Sequence, residues 1–248
     1  MNSSPPWLSR WTILLLIVCL FFISDPCQAA QFSLDLGEGS LSAKLLQLMA
    51  LISVLSLAPS ILMMVTSFTR IVVVMSLLRH ALGLGQSPPQ SIIISLSLFL
   101  TLFVMQPTFE KAYEQGLHPY LSEDISEEEA LRKTSEPFQT FMLQHTRHKD
   151  LEMLLTISNT PKLKTPEETP YRALIPAFML SELRRAFEIG FLIFIPFLII
   201  DLVVASILMS MGMMMLPPVM LSLPFKIIFF VLIDGWSLLA GSLVRSYS

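Results

Sequence analysis

Between Pro176 and Gly241 the chain reads PAFMLSELRRAFEIGFLIFIPFLIIDLVVASILMSMGMMMLPPVMLSLPFKIIFFVLIDGWSLLAG. Two apolar arms, roughly 187–211 and 219–240, flank a turn of Gly212, three consecutive methionines and Pro217-Pro218. Proline cannot continue a helix and glycine relaxes the backbone, so the chain is expected to reverse here. The arms then lie antiparallel as a helical hairpin. Each arm carries one charge inside its apolar run, Asp201 and Lys226. Asp201 lies twelve residues before Met213 and Lys226 thirteen after it, so a turn near Met213 puts them at one height. A lone charge at the centre of a membrane helix costs about 2.5–3.5 kcal/mol on insertion scales, so such charges pair or face a protein or aqueous interior. The expectation is a buried Asp201–Lys226 ion pair.

The other apolar runs are interrupted in the same way. Pro59, Arg70, Arg79, Pro196, Pro224 and Asp234 all fall within or beside them. Irregular or polar features at membrane depth survive where protein or a water-filled cavity covers them. Small residues such as Ala205, Ser206, Ser210, Gly212, Ala240 and Gly241 permit close helix packing. These hairpins are therefore expected to bury their faces against other subunits. The competing reading is a self-contained four-helix membrane protein with an internal pocket.

Composition agrees with a membrane class. Mean hydropathy is +0.67. Charged residues make up 14% of the chain, against about 25% in soluble domains. A formal net charge of −3 argues against a nucleic-acid partner. Near the start, Arg10 precedes the apolar core Trp11–Ile23, and then Cys27-Gln28-Ala29-Ala30. That core is short for a span and suits a secretory signal, removed as residues 1–29 or, alternatively, after Ala30. An uncleaved anchor is the other reading. Both cysteines, Cys19 and Cys27, leave with the signal, which removes disulfide, thiolate-metal and cysteine-nucleophile chemistry from the mature chain.

The mature chain divides into three parts. Residues 44–107 form a first helical hairpin. Leu45–Val65 is about long enough to span and kinks at Pro59, and the helix is expected to run on through Arg70 toward Gly83. Ser91–Met105 returns and Pro107 closes it. Residues 108–172 form a small helical insert; 20 of the chain's 35 charged residues lie between 107 and 173. Ser126-Glu127-Glu128-Glu129 has capping-box spacing, so a helix starts at Glu127. A second short helix is expected over Lys149–Ser158. His145 and His148 stand in H-x-x-H spacing, but without a carboxylate or cysteine set no metal site is expected. Residues 173–245 form the second hairpin. With the signal removed and two crossings made, the insert is expected outside the cytoplasm. Arg70, Arg79 and His80 then fall in or near the inner turn, as the positive-inside bias prefers.

Met209–Met220, MSMGMMMLPPVM, holds six methionines in twelve residues. Methionine is a generic core filler. Three adjacent positions cannot share one helix face, so Met213, Met214 and Met215 also suit an apolar constriction at the hairpin tip. No HExxH, nucleophile elbow, P-loop or paired intramembrane aspartates occur, so no enzyme, catalytic residue or cofactor is expected. An autonomous small-solute transporter, with Asp201 as proton carrier, is the rival; it would work alone when reconstituted.

Pro176–Phe191 and Pro196–Met213 resemble the two signature segments of the FliP family of flagellar export proteins, whose injectisome equivalent is SctR. The likeness extends to Thr66–Gly83, Pro88–Pro107 and Pro224–Leu239. It implies an all-helical, membrane-associated subunit of the type III export gate: two long hairpins and a periplasmic insert, assembled into a helical pore complex. It implies a pentamer of this chain with FliQ and FliR, contacting FlhB and FlhA and passing unfolded flagellar subunits across the bacterial inner membrane within the basal body. The virulence injectisome gate is the alternative setting. By the same resemblance Met213, Met214 and Met215 form a pore gasket and Asp201 and Lys226 are the family's paired charges. Arg70, Arg79, Glu182, Arg185, Glu188 and Asp234 are expected to make structural polar contacts. Glu182 can meet Arg185 (i, i+3), and Arg184 can meet Glu188 (i, i+4), on one helix face.

Overall fold

A computed structural model describes residues 41–85, 87–159, 165–213 and 216–247. The expected signal, 1–29, lies outside them. Among the described residues every regular element is helical. By its contacts the chain divides into Met1–Val54 and Leu55–Ser248. The described part of the first unit belongs to α1 (Leu41–Met64), where Leu45, Leu46, Met49 and Ile52 stand exposed.

The second unit carries the remaining elements. They are α2 (Phe68–Leu82), α3 (Gln90–Ala112), α4 (His118–Leu121), α5 (Glu127–His145), α6 (His148–Ile157), α7 (Tyr171–Ser210), α8 (Pro218–Leu232) and α9 (Gly235–Arg245). A π-helical turn at Tyr113–Leu117 joins α3 to α4. Among the described residues three helical stretches are long and apolar enough to cross a membrane: Leu45–Met64, Gln90–Leu121 and Tyr171–Ser210. A fourth arises if α8 and α9, bent by 62°, count as one span.

α2 is the central element of this unit. Ile71, Val74, Met75, Leu78, Ala81 and Leu82 recur at three- and four-residue steps and are all buried. Against them pack Ile93 of α3, Ala186 and Phe197 of α7, Phe230 of α8, and Leu239 and Leu243 of α9. A second cluster, Met105, Phe141, Met142, Leu174 and Phe178, joins α3, α5 and α7.

Three details differ from the sequence-based expectation. The first helix does not run through into α2. Thr66 Oγ1 lies 3.4 Å from both the Met63 carbonyl and the Phe68 amide, a local bonding pattern that competes with the helix ladder. Pro107 does not end α3. Buried Met105, Thr108 and Ala112 on one face carry the helix through the lost amide donor. The last arm is not one helix. Asp234 takes a left-handed conformation (φ 49°), which aspartate tolerates better than most residues. Gly235 then lies so close to the Phe230 ring that no Cβ would fit.

Other boundaries fall near expectation. α5 starts at Glu127, with Ser126 Oγ accepting from the Glu129 amide at 3.4 Å. α6 begins one residue before Lys149.

Candidate functional site

α7 positions most of the polar residues. It holds Ser181, Glu182, Arg184, Arg185 and Glu188 in its first half and Asp201 in its second. At about 1.5 Å per residue its 40 residues run about 60 Å, roughly twice the hydrocarbon thickness of a bilayer. Its first half is the more buried. Ala173, Leu174, Ala177, Phe178, Ser181, Glu182 and Ala186 are buried there, while Leu198, Ile199, Leu202, Val203 and Ile207 beyond Pro196 are exposed.

The structure brings Asp201 and Lys226 together. Lys226 Nζ donates to Asp201 Oδ2 at 2.7 Å and to the Ala81 carbonyl at 3.2 Å. Ser222 Oγ donates to Asp201 Oδ1 at 2.5 Å. Lys226 is 3% exposed, and the Asp201 side chain 28%. The ammonium thus satisfies a carbonyl in the last turn of α2, where the helix dipole favours a cation. Three helices meet on one charge pair. Ser222 stands one turn before Lys226 and was not singled out in the sequence, although the i, i+4 spacing places it on the same face.

A second buried pair lies nearer the start of α7. Arg70 Nε donates to Glu182 Oε2 at 2.9 Å, and its Nη2 donates to Oε1. Both side chains are fully buried. A bidentate guanidinium–carboxylate pair of this kind is the strong form of the interaction. Tyr247 Oη donates to the same Glu182 Oε2. Arg70 Nη1 donates to Ser246 Oγ at 2.9 Å, and the guanidinium carbon stands 3.8 Å from the Tyr247 ring centroid. Glu182 thus spends its oxygens on Arg70 and Tyr247 rather than on Arg185. Arg184 and Glu188 do meet, at 3.0 Å on an exposed face. Burial, and then the Arg70 and Arg185 charges, hold the His145 pKa down to about 4. Burial and the Glu182 carboxylate push the Tyr247 phenol up.

The remaining sequence-selected residues are dispersed. Arg79 donates to the Pro88 carbonyl at 3.4 Å, while its Nε is buried without a partner among the described residues. Asp234 stands exposed at the α8–α9 bend, and its side chain makes no cap bond to α9. Met213 follows Gly212 (φ 74°) in the turn after α7, its amide donating to the Leu208 carbonyl at 3.0 Å. Met214 and Met215 lie outside the described residues. Among the described residues no group of three or more His, Cys, Asp or Glu gathers as metal ligands.

Comparison with known proteins gives one result throughout. The family model described as "FliP family" matches residues 51–243. A flagellar biosynthetic protein FliP of Caulobacter vibrioides is 54% identical over 95% of this chain and 89% of its own length. The Aquifex aeolicus protein of that name is 53% identical over 96% of this chain and 99% of its own, and the Bacillus subtilis one 51% identical over 81% and 91%. Matched in sequence across both buried ion pairs and the methionine turn, the chain belongs to the FliP family of flagellar biosynthetic proteins.

Proposed function

We propose that this protein is a core subunit of the flagellar type III export gate. Several copies, a pentamer, assemble with FliQ and FliR into a pore through which unfolded flagellar subunits cross the inner membrane. The assembly contacts FlhB and FlhA, and the insert containing α5 and α6 projects toward the periplasm. The protein does no covalent chemistry; it shapes and closes a passage.

One observation carries this reading above the others. The chain is a FliP-family member whose long apolar helices keep prolines and charges within them and leave wide apolar faces outside. Contiguous exposed apolar surface of this extent marks a protein–protein or membrane interface. Faces interrupted at Pro107, Pro196 and Pro224 suit neighbouring protein better than lipid on every side, because neighbours can satisfy the freed carbonyls. The relatives named for flagellar biosynthesis favour the flagellar over the injectisome setting.

Within the pore, Met213, Met214 and Met215 act as the gasket. Thioether side chains are flexible and polarizable, so they pack together when the passage is empty and reshape around cargo. Asp201 and Lys226 hold the two helices flanking that turn, so the gasket sits on a fixed base. Arg70, Glu182, Arg79, Arg185, Glu188 and Asp234 serve the architecture rather than transport.

The test is replacement of Met213, Met214 and Met215 together by alanine. Expected are a normal yield of assembled complex and a membrane leaky to small ions, measured as conductance in planar bilayers or as growth sensitivity to salts. A complex that assembles and stays as tight as the parent would remove the gasket assignment.

A further inference from the structure

The two apolar clusters of the second unit share few residues, and one side chain packs against both. Tyr247, in the short segment after α9, contacts the cluster around α2 and the cluster around Met142 and Phe178. Groups from three elements surround it. Arg70 of α2 lies over the ring at 3.8 Å. Phe141 of α5 stacks on it at 5.9 Å, and His145 of α5 meets it edge-on at 5.0 Å. Its hydroxyl donates to Glu182 of α7, and the preceding residue, Ser246, accepts from Arg70.

We propose that Ser246–Tyr247 is a clasp that couples the polar insert, through α5, to the buried Arg70–Glu182 pair between α2 and α7. α5 reaches that pair through the aromatic ring: Phe141 and His145 touch Tyr247, and Tyr247 touches both charged partners. A displacement of α5 must therefore either carry the ring with it, pulling on Glu182, or leave the ring behind and expose its face.

The surroundings give the ring somewhere to go. A cavity of about 420 Å³ opens beside it, lined in part by Lys111, Gln144, His145 and Tyr247 itself. It is a cleft open to solvent, with exposed Lys111 and Gln144 on its rim. A cavity of this size with a polar lining can accept a phenol and hydrate its hydroxyl. The side chain is held by the cation–π contact with Arg70 and by its hydroxyl's bonds to Glu182 and, at 3.4 Å, to the Ser67 carbonyl, all of which can break without unfolding a helix. The clasp thus has a closed position and room for an open one. It provides a physical route from the insert to the base of the apolar helices, and it does not depend on the export assignment.

The experiment is amide hydrogen exchange on the full-length protein in its membrane complex, comparing the parent with Tyr247→Ala and Tyr247→Phe. In Tyr247→Ala, exchange across residues 138–146 should speed up about tenfold, the scale expected for losing two aromatic contacts to the ring. Exchange in α8 around Lys226 should stay at the parent rate. In Tyr247→Phe the ring survives, so 138–146 should stay near the parent rate while residues 68–72 and 180–186, around Arg70 and Glu182, exchange faster.

Unchanged protection of α5 in Tyr247→Ala would overturn the clasp. So would a uniform acceleration of every helix, because that reports general loss of stability rather than uncoupling. Should Tyr247→Ala fail to accumulate, Tyr247→Phe decides by itself: exchange at 68–72 and 180–186 identical to the parent contradicts the proposal.

Discussion

Lys226 illustrates how much one side chain settles. An ammonium has three hydrogens, and here two of them meet Asp201 and the Ala81 carbonyl. Lys226→Ala strips Asp201 of its cation and the end of α2 of its donor. Removing one partner of a fully buried pair costs about 3–5 kcal/mol; the partial exposure of Asp201 places this loss near the bottom of that range. The double exchange Asp201→Lys with Lys226→Asp should restore only part of the function. The new carboxylate would face the Ala81 carbonyl, an acceptor that repels it. Swimming-halo diameter should therefore fall between the parent and the single variants; a double variant no better than either single one would contradict the coupling. The two ion pairs also differ in how far the sequence could point to them. Asp201 and Lys226 are 25 positions apart across one turn, so counting from Met213 puts them at one height. Arg70 and Glu182 are 112 positions apart, and no local spacing joins them. The i, i+3 rule pointed Glu182 at Arg185, whereas the long-range guanidinium, fully buried, wins the carboxylate. Tyr247 carried no signal at all, being a single aromatic residue after an amphipathic helix.

At the scale of elements, close helix approaches differ in how they resist change. Gly116 lies in the π-helical turn between α3 and α4, with the Thr134 backbone of α5 against it. A Cβ there would meet the Thr134 amide nitrogen at 2.7 Å and its Cα at 2.9 Å. Backbone atoms within a helix cannot step aside, so Gly116→Ala must push α5 away from α3. Gly190 of α7 faces mainly the far end of the Leu77 side chain, which can rotate. Gly116→Ala is expected to destabilise by about 1–3 kcal/mol, as overpacking does, and Gly190→Ala by less. Thermal unfolding of the two variants in detergent checks the order, and equal midpoints would contradict it. Helix existence was legible from apolar runs and from the Ser126 cap. Helix ends were not, because they depend on tertiary context. Pro107 reads as a stop, yet packing of Met105, Thr108 and Ala112 carries α3 past it. Asp234 reads as a charge within an apolar run, not as a helix break. The break becomes visible only when Gly235 is seen against the Phe230 ring.

At the scale of the whole molecule, the outer surface carries the argument. Phe99 on α3 is 76% exposed and Leu232 on α8 is 79% exposed, and similar residues line α7 beyond Pro196. The family likeness was legible from long motifs, and the apolar class from composition. What covers these faces follows from neither, because a sequence of apolar residues reads the same against lipid and against protein. The proposed assembly requires that sister chains and partner subunits cover them. Native mass spectrometry of the complex, released gently from membranes in which the chain is expressed with FliQ and FliR, tests that requirement most directly. Particles holding several copies of this chain together with both partners are the expected result. A stably folded single copy that supports export with no companion would contradict it.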